Sequence, residues 1–204
     1  MASSGLLLRF DAKSGKEREV EQFLRSALPL VEEELGTRSW FAVRFGHGHY
    51  GIFDTFLDEA ARDEHLAGPV GLALQQYSND LFDTAPRVQR IEVLADKMPI
   101  LHDGRDTKGL LLTFKAKAGH ESEVEQFLRD ARPIVMDEPM TTAWFAIRTD
   151  DGDYGIFDVF PDNGGRLAHL AGQVPRELAK RSMSLLGSVP ELALVNVQAE
   201  KLGA

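Results

Sequence analysis

The chain contains the same sequence unit twice, and this duplication limits its possible folds more than any other feature. The segment Glu19–Arg25 recurs 104 positions later as Glu123–Arg129. The same offset holds without a gap from Gly5 to Lys97, and about half of the paired positions are identical. Each structural element should therefore form twice. The predicted domains are a first repeat in residues 1–98, a linker in residues 99–108 and a second repeat in residues 109–204.

Each copy predicts the element order β-α-β-β-α-β, which is the ferredoxin-like arrangement. Ser14 and Glu17 have the spacing of a capping box and predict the start of the first helix. Gly68 followed by Pro69 predicts an interruption in the second helix. The expected elements of the first copy are a strand at Leu6–Phe10, a helix after Ser14, strands at Trp40–Phe45 and Tyr50–Leu57, a helix at Glu59–Leu74 and a strand at Arg87–Ala95.

A single unit of this kind leaves half of its sheet uncovered. Its helices pack on one face of a four-stranded sheet, so the other face stays bare. Two bare faces can close on each other into a barrel, and a linker makes this encounter intramolecular. The predicted fold class is therefore α+β, with two ferredoxin-like βαββαβ repeats closing into an α+β barrel within one chain.

Composition and charge exclude several classes of function. Asp and Glu outnumber Lys and Arg by 32 to 23, so neither nucleic acid nor an anionic membrane is an expected partner. The absence of cysteine removes disulfides and thiolate chemistry. No apolar run approaches the ~18 residues of a membrane span, and no signal peptide is recognisable, so we expect a cytoplasmic protein. No glycine-rich nucleotide motif and no metal-ligand spacing is present, so we expect no cofactor and no metal.

A few short motifs recur in both copies at fixed spacing. A turn of the form Glu-x-x-Thr follows the first helix, at Glu34 and Glu138. The third strand carries an acid and, two positions later, an aromatic residue; a histidine follows in the second helix, eleven positions after the acid. With these motifs the unit resembles the antibiotic biosynthesis monooxygenase domain family, of the dimeric α+β barrel superfamily. The family more often has Glu and Trp where this chain has Asp54 and Phe56.

Strand alternation places a candidate site between the second helix and the sheet. Residues two apart on a strand share a face, and a tight hairpin puts the matching faces of both strands on one side. Apolar walls with a few converging polar groups are typical of a small-ligand pocket. The candidate catalytic residues are His65, His169, Asp54, Asp158, Arg44 and Arg148, and the candidate ligand-binding residues are Trp40, Trp144, Phe56 and Phe160.

The same residues also have purely structural interpretations. Arg44 and Asp54 could form a cross-strand ion pair, His65 could be a hydrogen-bonded core residue, and Trp40 could be core. The acidic run Glu32–Glu34 is interpreted as a solvated helix end, and the turn His47–His49 as a solvated hairpin.

Three hypotheses for function remain open at this point. The resemblance implies a cofactor-independent monooxygenase acting on a small phenol- or quinol-like aromatic, with the histidines as bases, the arginines as anion stabilisers and the aromatic side chains stacking on the ring. The alternatives are a small-ligand-binding barrel without turnover, and haem binding through His65 or His169. The expected partner is a small aromatic ligand or substrate, and two chains could also form a homodimer.

Overall fold

The computed structural model of the protein describes residues 2–100 and 106–203. The elements of the first copy are β1 (Ser4–Asp11), α1 (Glu17–Glu33), β2 (Thr37–Gly46), β3 (His49–Phe56), α2 (Glu59–Ala67), α3 (Pro69–Leu81) and β4 (Arg87–Lys97). Those of the second copy are β5 (Lys108–Phe114), α4 (Glu121–Met136), β6 (Ala143–Thr149), β7 (Tyr154–Phe160), α5 (Asn163–Leu170), α6 (Gln173–Leu185) and β8 (Glu191–Lys201). None of the helices in these described ranges is long and apolar enough to cross a membrane.

The eight strands form one closed antiparallel barrel in the order β1-β3-β2-β8-β5-β7-β6-β4. The strands of each copy are neighbours in the order fourth, first, third, second, which is the ferredoxin-like order. The predicted α+β fold, with two βαββαβ repeats closing into a barrel within one chain, is therefore confirmed.

Two compact units make up the chain, and each takes in part of the last strand of the other copy. One unit consists of Ala2–Ile91 with the chain from Val195 onward, and the other consists of Glu92–Leu194. In the first of these units β2 pairs with β8, with Trp40 opposite Lys201. The predicted linker at 99–108 includes residues 101–105, which lie outside the described residues, so its boundaries stay a prediction.

The first helix begins later than the capping-box prediction. Helix α1 starts at Glu17, with Lys16 as its N-cap and no side-chain hydrogen bond at that cap. Ser14 lies before a turn in which Gly15 has a φ of 79°. Because this left-handed residue separates Ser14 from the helix, its hydroxyl does not cap the first turn, and the prediction is wrong.

The second predicted helix is divided where the sequence indicates an interruption. Gly68 has an extended backbone and serves as the cap of both α2 and α3, while Pro69 occupies the first turn of α3. Proline is favoured there because its missing N–H has no helical acceptor to lose. Helix α3 continues to Leu81, seven residues beyond the predicted end. The division lets α2 carry a histidine over the sheet while α3 covers the apolar face beside it.

In each unit, one face of the sheet and the helices enclose a separate apolar core. The core of the first unit includes Trp40, Ile52 and Phe56 together with α1 residues such as Leu24. The core of the second unit contains the equivalent Trp144 and Ile156. The prediction that the strand face of Trp40 and Ile52 is turned toward the helices is therefore correct. Asp54 shares this face with Ile52, and so it also lies on the helix side of the sheet.

Candidate functional site

In the first copy, one histidine bridges two carboxylates at the contact between helix and sheet. His65 lies on α2, Asp54 lies on β3, and Glu34 is the C-cap of α1. The Nδ1 atom of His65 is 2.6 Å from Oε2 of Glu34, and its Nε2 atom is 3.4 Å from Oδ2 of Asp54. Because a carboxylate only accepts hydrogen bonds, the close contact assigns the Nδ1 proton to a bond donated to Glu34.

The second copy repeats this arrangement with one longer contact. Nδ1 of His169 is 2.6 Å from Oε2 of Glu138, and Nε2 is 3.8 Å from Oδ1 of Asp158. Both copies therefore hold an imidazole fixed at one nitrogen and facing a buried acid with the other. We refer to these sets as the first trio (Glu34, His65 and Asp54) and the second trio (Glu138, His169 and Asp158).

The glutamates of the trios correct one prediction from the sequence. Glu34, expected to be part of a solvated helix end, is mostly buried and accepts hydrogen bonds from His65 and from Thr37 Oγ1, the latter at 2.5 Å. Thr141 Oγ1 holds Glu138 in the same way at 2.7 Å. The signal was present in the repeat itself, because Glu34 and its threonine recur whereas Glu32 and Glu33 do not.

The aspartates of both trios are buried, with Asp54 fully shielded from solvent and Asp158 3% exposed. Burial raises the pKa of Asp54 to about 7, against the opposing charge of His65 and a backbone hydrogen bond from Leu6 N to Asp54 Oδ1 at 3.1 Å. Burial likewise raises the pKa of Asp158 to about 7. One oxygen of each carboxylate has no hydrogen-bond partner among the described residues. Each acid is thus able to exchange a proton near neutral pH.

The histidines experience two opposing influences. Burial alone would lower the pKa of His65, but the hydrogen bond to Glu34 and the negative charges of Asp54 and Glu34 outweigh it, so this pKa lies above its usual value. For His169 the opposition to burial comes from Asp158 first and then from Glu138, again with a raised pKa. Each histidine and its aspartate therefore compete for protons as one coupled pair.

The second trio opens onto an apolar cavity of about 310 Å³. Eleven of its fourteen lining residues are apolar, and the polar exceptions are Asp158, His169 and Ser182. This volume is that of a small ligand pocket. The cavity is lined by Leu110, Leu112, Ile156, Asp158, His169, Leu170, Val174, Pro175, Leu178, Ala179, Ser182, Leu186, Pro190 and Leu192.

The corresponding position in the first copy contains a larger side chain. Where the cavity has Leu186, the first copy has Phe82, which is 2% exposed. The Phe82 ring packs on Phe10 with a centroid distance of 4.4 Å and lies 6.3 Å from Phe23. An aromatic cluster thus occupies the place of one wall of the second copy's cavity.

The arginines do not join the trios, contrary to the expectation from strand parity. Arg44 is paired in register with Tyr50, four residues along β3 from Asp54, which is a separation of about 13 Å. Its guanidinium instead donates to Glu21 at 3.2 Å. Arg148 donates to Glu125 at 2.9 Å and to Glu92 at 2.6 Å. Arg44 therefore lies on the expected face of its strand but too far along the sheet from Asp54, so the Arg44–Asp54 ion pair considered from the sequence is wrong.

The candidate ligand-binding aromatics are all fully buried. Phe56 and Phe160 pack against the rings of His65 and His169, with centroid distances of 5.1 and 5.3 Å. Neither Trp144 nor Phe160 lines the cavity, whose walls are aliphatic. Phe56 and Phe160 therefore pack against the histidine rings of the trios. The predicted aromatic platform for stacking on a ligand does not form at this cavity. The indole Nε1 atoms of Trp40 and Trp144 have no hydrogen-bond partner among the described residues.

The hairpin histidines lie apart from both trios. His49 is paired with Asp11 on the exposed hairpin end, at 2.7 Å from Nδ1 to Oδ1. Among the described residues, no group of three or more His, Cys, Asp and Glu side chains has an arrangement that could hold a metal ion.

The chain matches no family model and no curated protein. Solved structures share its fold. A proposed monooxygenase from Fusobacterium nucleatum superposes with a TM-score of 0.88 at 15% identity, covering 100% of this chain and 97% of its own. An anthrone oxidase-like protein superposes with a TM-score of 0.68 at 11% identity, covering 99% and 94%. A protein of unknown function from Nitrosomonas europaea is 42% identical over 50% of this chain and 98% of its own, with a TM-score of 0.48.

Proposed function

We propose that the protein is an oxygenase that uses dioxygen to oxidise a small phenol- or quinol-like aromatic in the cavity of the second copy. The observation that carries this proposal is the second trio, a buried acid–base pair at the wall of an otherwise apolar cavity. The names of two proteins with the same fold, a proposed monooxygenase and an anthrone oxidase-like protein, agree with this reaction class.

The first step is removal of the hydroxyl proton of the substrate by the pair of His169 and Asp158. Asp158 keeps one oxygen without a hydrogen-bond partner among the described residues, and its pKa of about 7 suits a base that works near neutral pH. Glu138 fixes the imidazole at Nδ1, so Nε2 faces Asp158. The proton accepted by this pair leaves a positive imidazolium close to the new phenolate and stabilises it.

The remaining steps need only the substrate and dioxygen. The phenolate transfers one electron to dioxygen, and the resulting phenoxyl radical and superoxide combine to form a carbon–oxygen bond at a ring carbon that bears hydrogen. The peroxide O–O bond then breaks as that C–H proton passes to the departing oxygen, which leaves a quinone carbonyl and a hydroxide ion. The proton held by the pair leaves in the water that forms. The balance is one phenol plus one dioxygen giving one quinone plus one water.

The aliphatic wall of the cavity favours electron transfer from the phenolate to dioxygen. Aliphatic side chains exclude water, and a poorly solvated phenolate is a better electron donor than a hydrated one. The sequence has no dinucleotide- or phosphate-binding glycine motif that would hold a redox cofactor. The four electrons that reduce dioxygen therefore all come from the substrate.

The trio geometry disfavours the haem alternative. A haem-ligating histidine needs one free ring nitrogen directed at the iron. In both copies Nδ1 is bonded to a glutamate and Nε2 faces a buried aspartate. Iron ligation would require the imidazole to abandon one of these carboxylates.

The test is oxygen consumption with a panel of naphthols, hydroquinones and anthrone, with product analysis under ¹⁸O-labelled dioxygen. The expected result is equal consumption of oxygen and formation of quinone, with one labelled atom in the product. A panel member that binds in the calorimeter without any oxygen uptake would support the non-catalytic ligand-binding alternative and contradict the proposal.

A further inference from the structure

Each copy ends in a lysine that reaches a helix of the other copy; Lys97 is buried and Lys201 is half-buried. Lys97, the last residue of β4, is 6% exposed, and its ammonium donates to the carbonyl oxygens of Val135 at 2.9 Å and Glu138 at 2.7 Å. Lys201, the last residue of β8, donates in the same way to Val31 at 2.8 Å and Glu34 at 2.6 Å. In both cases the acceptors are carbonyls at the C-terminal end of a helix.

We infer that Lys97 is a positioning residue for the second trio and that Lys201 is one for the first trio. Each trio would then be completed by the last strand of the other copy. The connection is short, because Lys97 binds the backbone oxygen of the same Glu138 whose side chain holds His169. By holding the backbone of Glu138 in place, Lys97 therefore limits where the side-chain carboxylate of Glu138 can lie.

The physical chemistry of the helix end explains why lysine suits this position. The last carbonyls of a helix lack helical donors and lie at the negative end of its dipole. An ammonium group offers three donors and a compensating charge. Burial lowers the pKa of Lys97, whereas the charges of Glu138 and Asp137 oppose that change. In turn the charge of Lys97 helps to hold the pKa of Glu138 low against its own burial. The hydrogen bonds from His169 and Thr141 lower this pKa more than Lys97 does, and all three keep Glu138 as the carboxylate to which His169 donates.

This inference gives the duplication a role in the site. A copy on its own would contain the glutamate, histidine and aspartate but would lack the lysine that binds its first helix. The inference does not depend on the proposed oxygenation, because it concerns only how the trios are held together.

The test is a crossed pair of variants, Lys97→Met and Lys201→Met, in the full chain. The measured quantity is the exchange with water of the histidine Nδ1 protons, observed by NMR at a temperature well below unfolding. Resonances are assigned from His65→Gln and His169→Gln. In Lys97→Met the His169 proton is expected to exchange roughly tenfold faster or more, as for a weakened hydrogen bond to a charged group, while the His65 proton is unchanged. Lys201→Met should show the reverse.

A lysine that acts only on general stability would give a different result. It would accelerate exchange at both histidines to the same extent in either variant, and that result would overturn the inference. Unchanged exchange at His169 in a folded Lys97→Met protein would also overturn it. If Lys97→Met does not fold, the mirrored measurement on Lys201→Met decides the question on the same terms.

Discussion

The two copies hold equivalent trios in different surroundings. The glutamate–histidine contact is 2.6 Å in both, and the buried aspartate has a pKa of about 7 in both. Around the first trio Phe82 packs into an aromatic cluster, whereas around the second trio Leu186 lines a cavity. The trio therefore belongs to the fold that both copies share, whereas the apolar packing beside it differs between them.

The connection between α2 and α3 in the first copy also differs from that between α5 and α6 in the second. At Gly71 of the first copy, an added Cβ would lie 2.1 Å from the backbone oxygen of Leu66, which is closer than any Cβ can approach. The second copy has Pro175 at the equivalent position, and it lines the cavity. There α5 ends at Leu170, and Ala171 and Gly172 intervene before α6 starts at Gln173. The first copy therefore requires glycine at this position, whereas the second copy holds a proline there.

The largest difference between the copies is expected in catalysis. His169→Gln should lower the rate of substrate oxidation by about 10²–10⁴-fold, the usual contribution of an acid–base group. The matched change His65→Gln, in the copy with the aromatic cluster, should lower it by less than about threefold. The measurement is kcat/KM from oxygen uptake, with circular dichroism as the check of folding. Equal losses in both variants would contradict the assignment of the reaction to the second copy.

Exchanging the residues at the equivalent positions 82 and 186 should alter ligand binding. Leu186→Phe places a ring in the cavity and should weaken ligand binding at least about tenfold, in the range seen when pocket shape changes. Phe82→Leu removes buried volume from the first copy, should cost about 1 kcal/mol of stability, and should add a second binding site per chain.

Calorimetric titration gives both the affinity and the number of sites for these variants. A Phe82→Leu chain that still binds one ligand, together with a Leu186→Phe chain that binds as tightly as the parent, would show that this position does not control access.

The smallest difference between the copies is expected in the pH dependence of stability. The folded state holds the protons of Asp54 and Asp158 up to a pKa of about 7, well above the usual value for aspartate, so unfolding releases these protons. Stability should therefore fall as pH rises from about 4 through 7, by at most about 1.4 kcal/mol per pH unit for each proton. The raised pKa values of His65 and His169 act in the same direction, because the stability they give below their unfolded pKa is lost as pH rises through the folded value.

Asp54→Asn and Asp158→Asn should each reduce this decline, and by similar amounts, because both carboxylates are buried and both have a pKa of about 7. The free energy of unfolding from urea titrations between pH 5 and 8 measures the effect. The low pKa values of Glu34 and Glu138 act at the acid end, where stability is lost as pH falls through them. A decline that persists unchanged in the double variant would show that other groups cause it.

The sequence by itself determined the architecture and part of the site. A gapless repeat with alternating strands and a bare sheet face has few ways to bury its apolar residues, so the closed barrel followed from the pattern. The spacing of Asp54 and His65 likewise indicated their approach, because strand alternation and helix periodicity are local rules.

Only the tertiary structure decided the partners that depend on distance and packing. Arg44 shares a strand face with Asp54 but lies too far along the strand, and Glu34, the C-cap of α1, bonds to His65 on α2. Leu186 lines a cavity where the first copy has the packed ring of Phe82, and a lysine from the other copy binds each helix end. These contacts join residues far apart in sequence, and local pattern carries no information about how closely such residues pack in three dimensions.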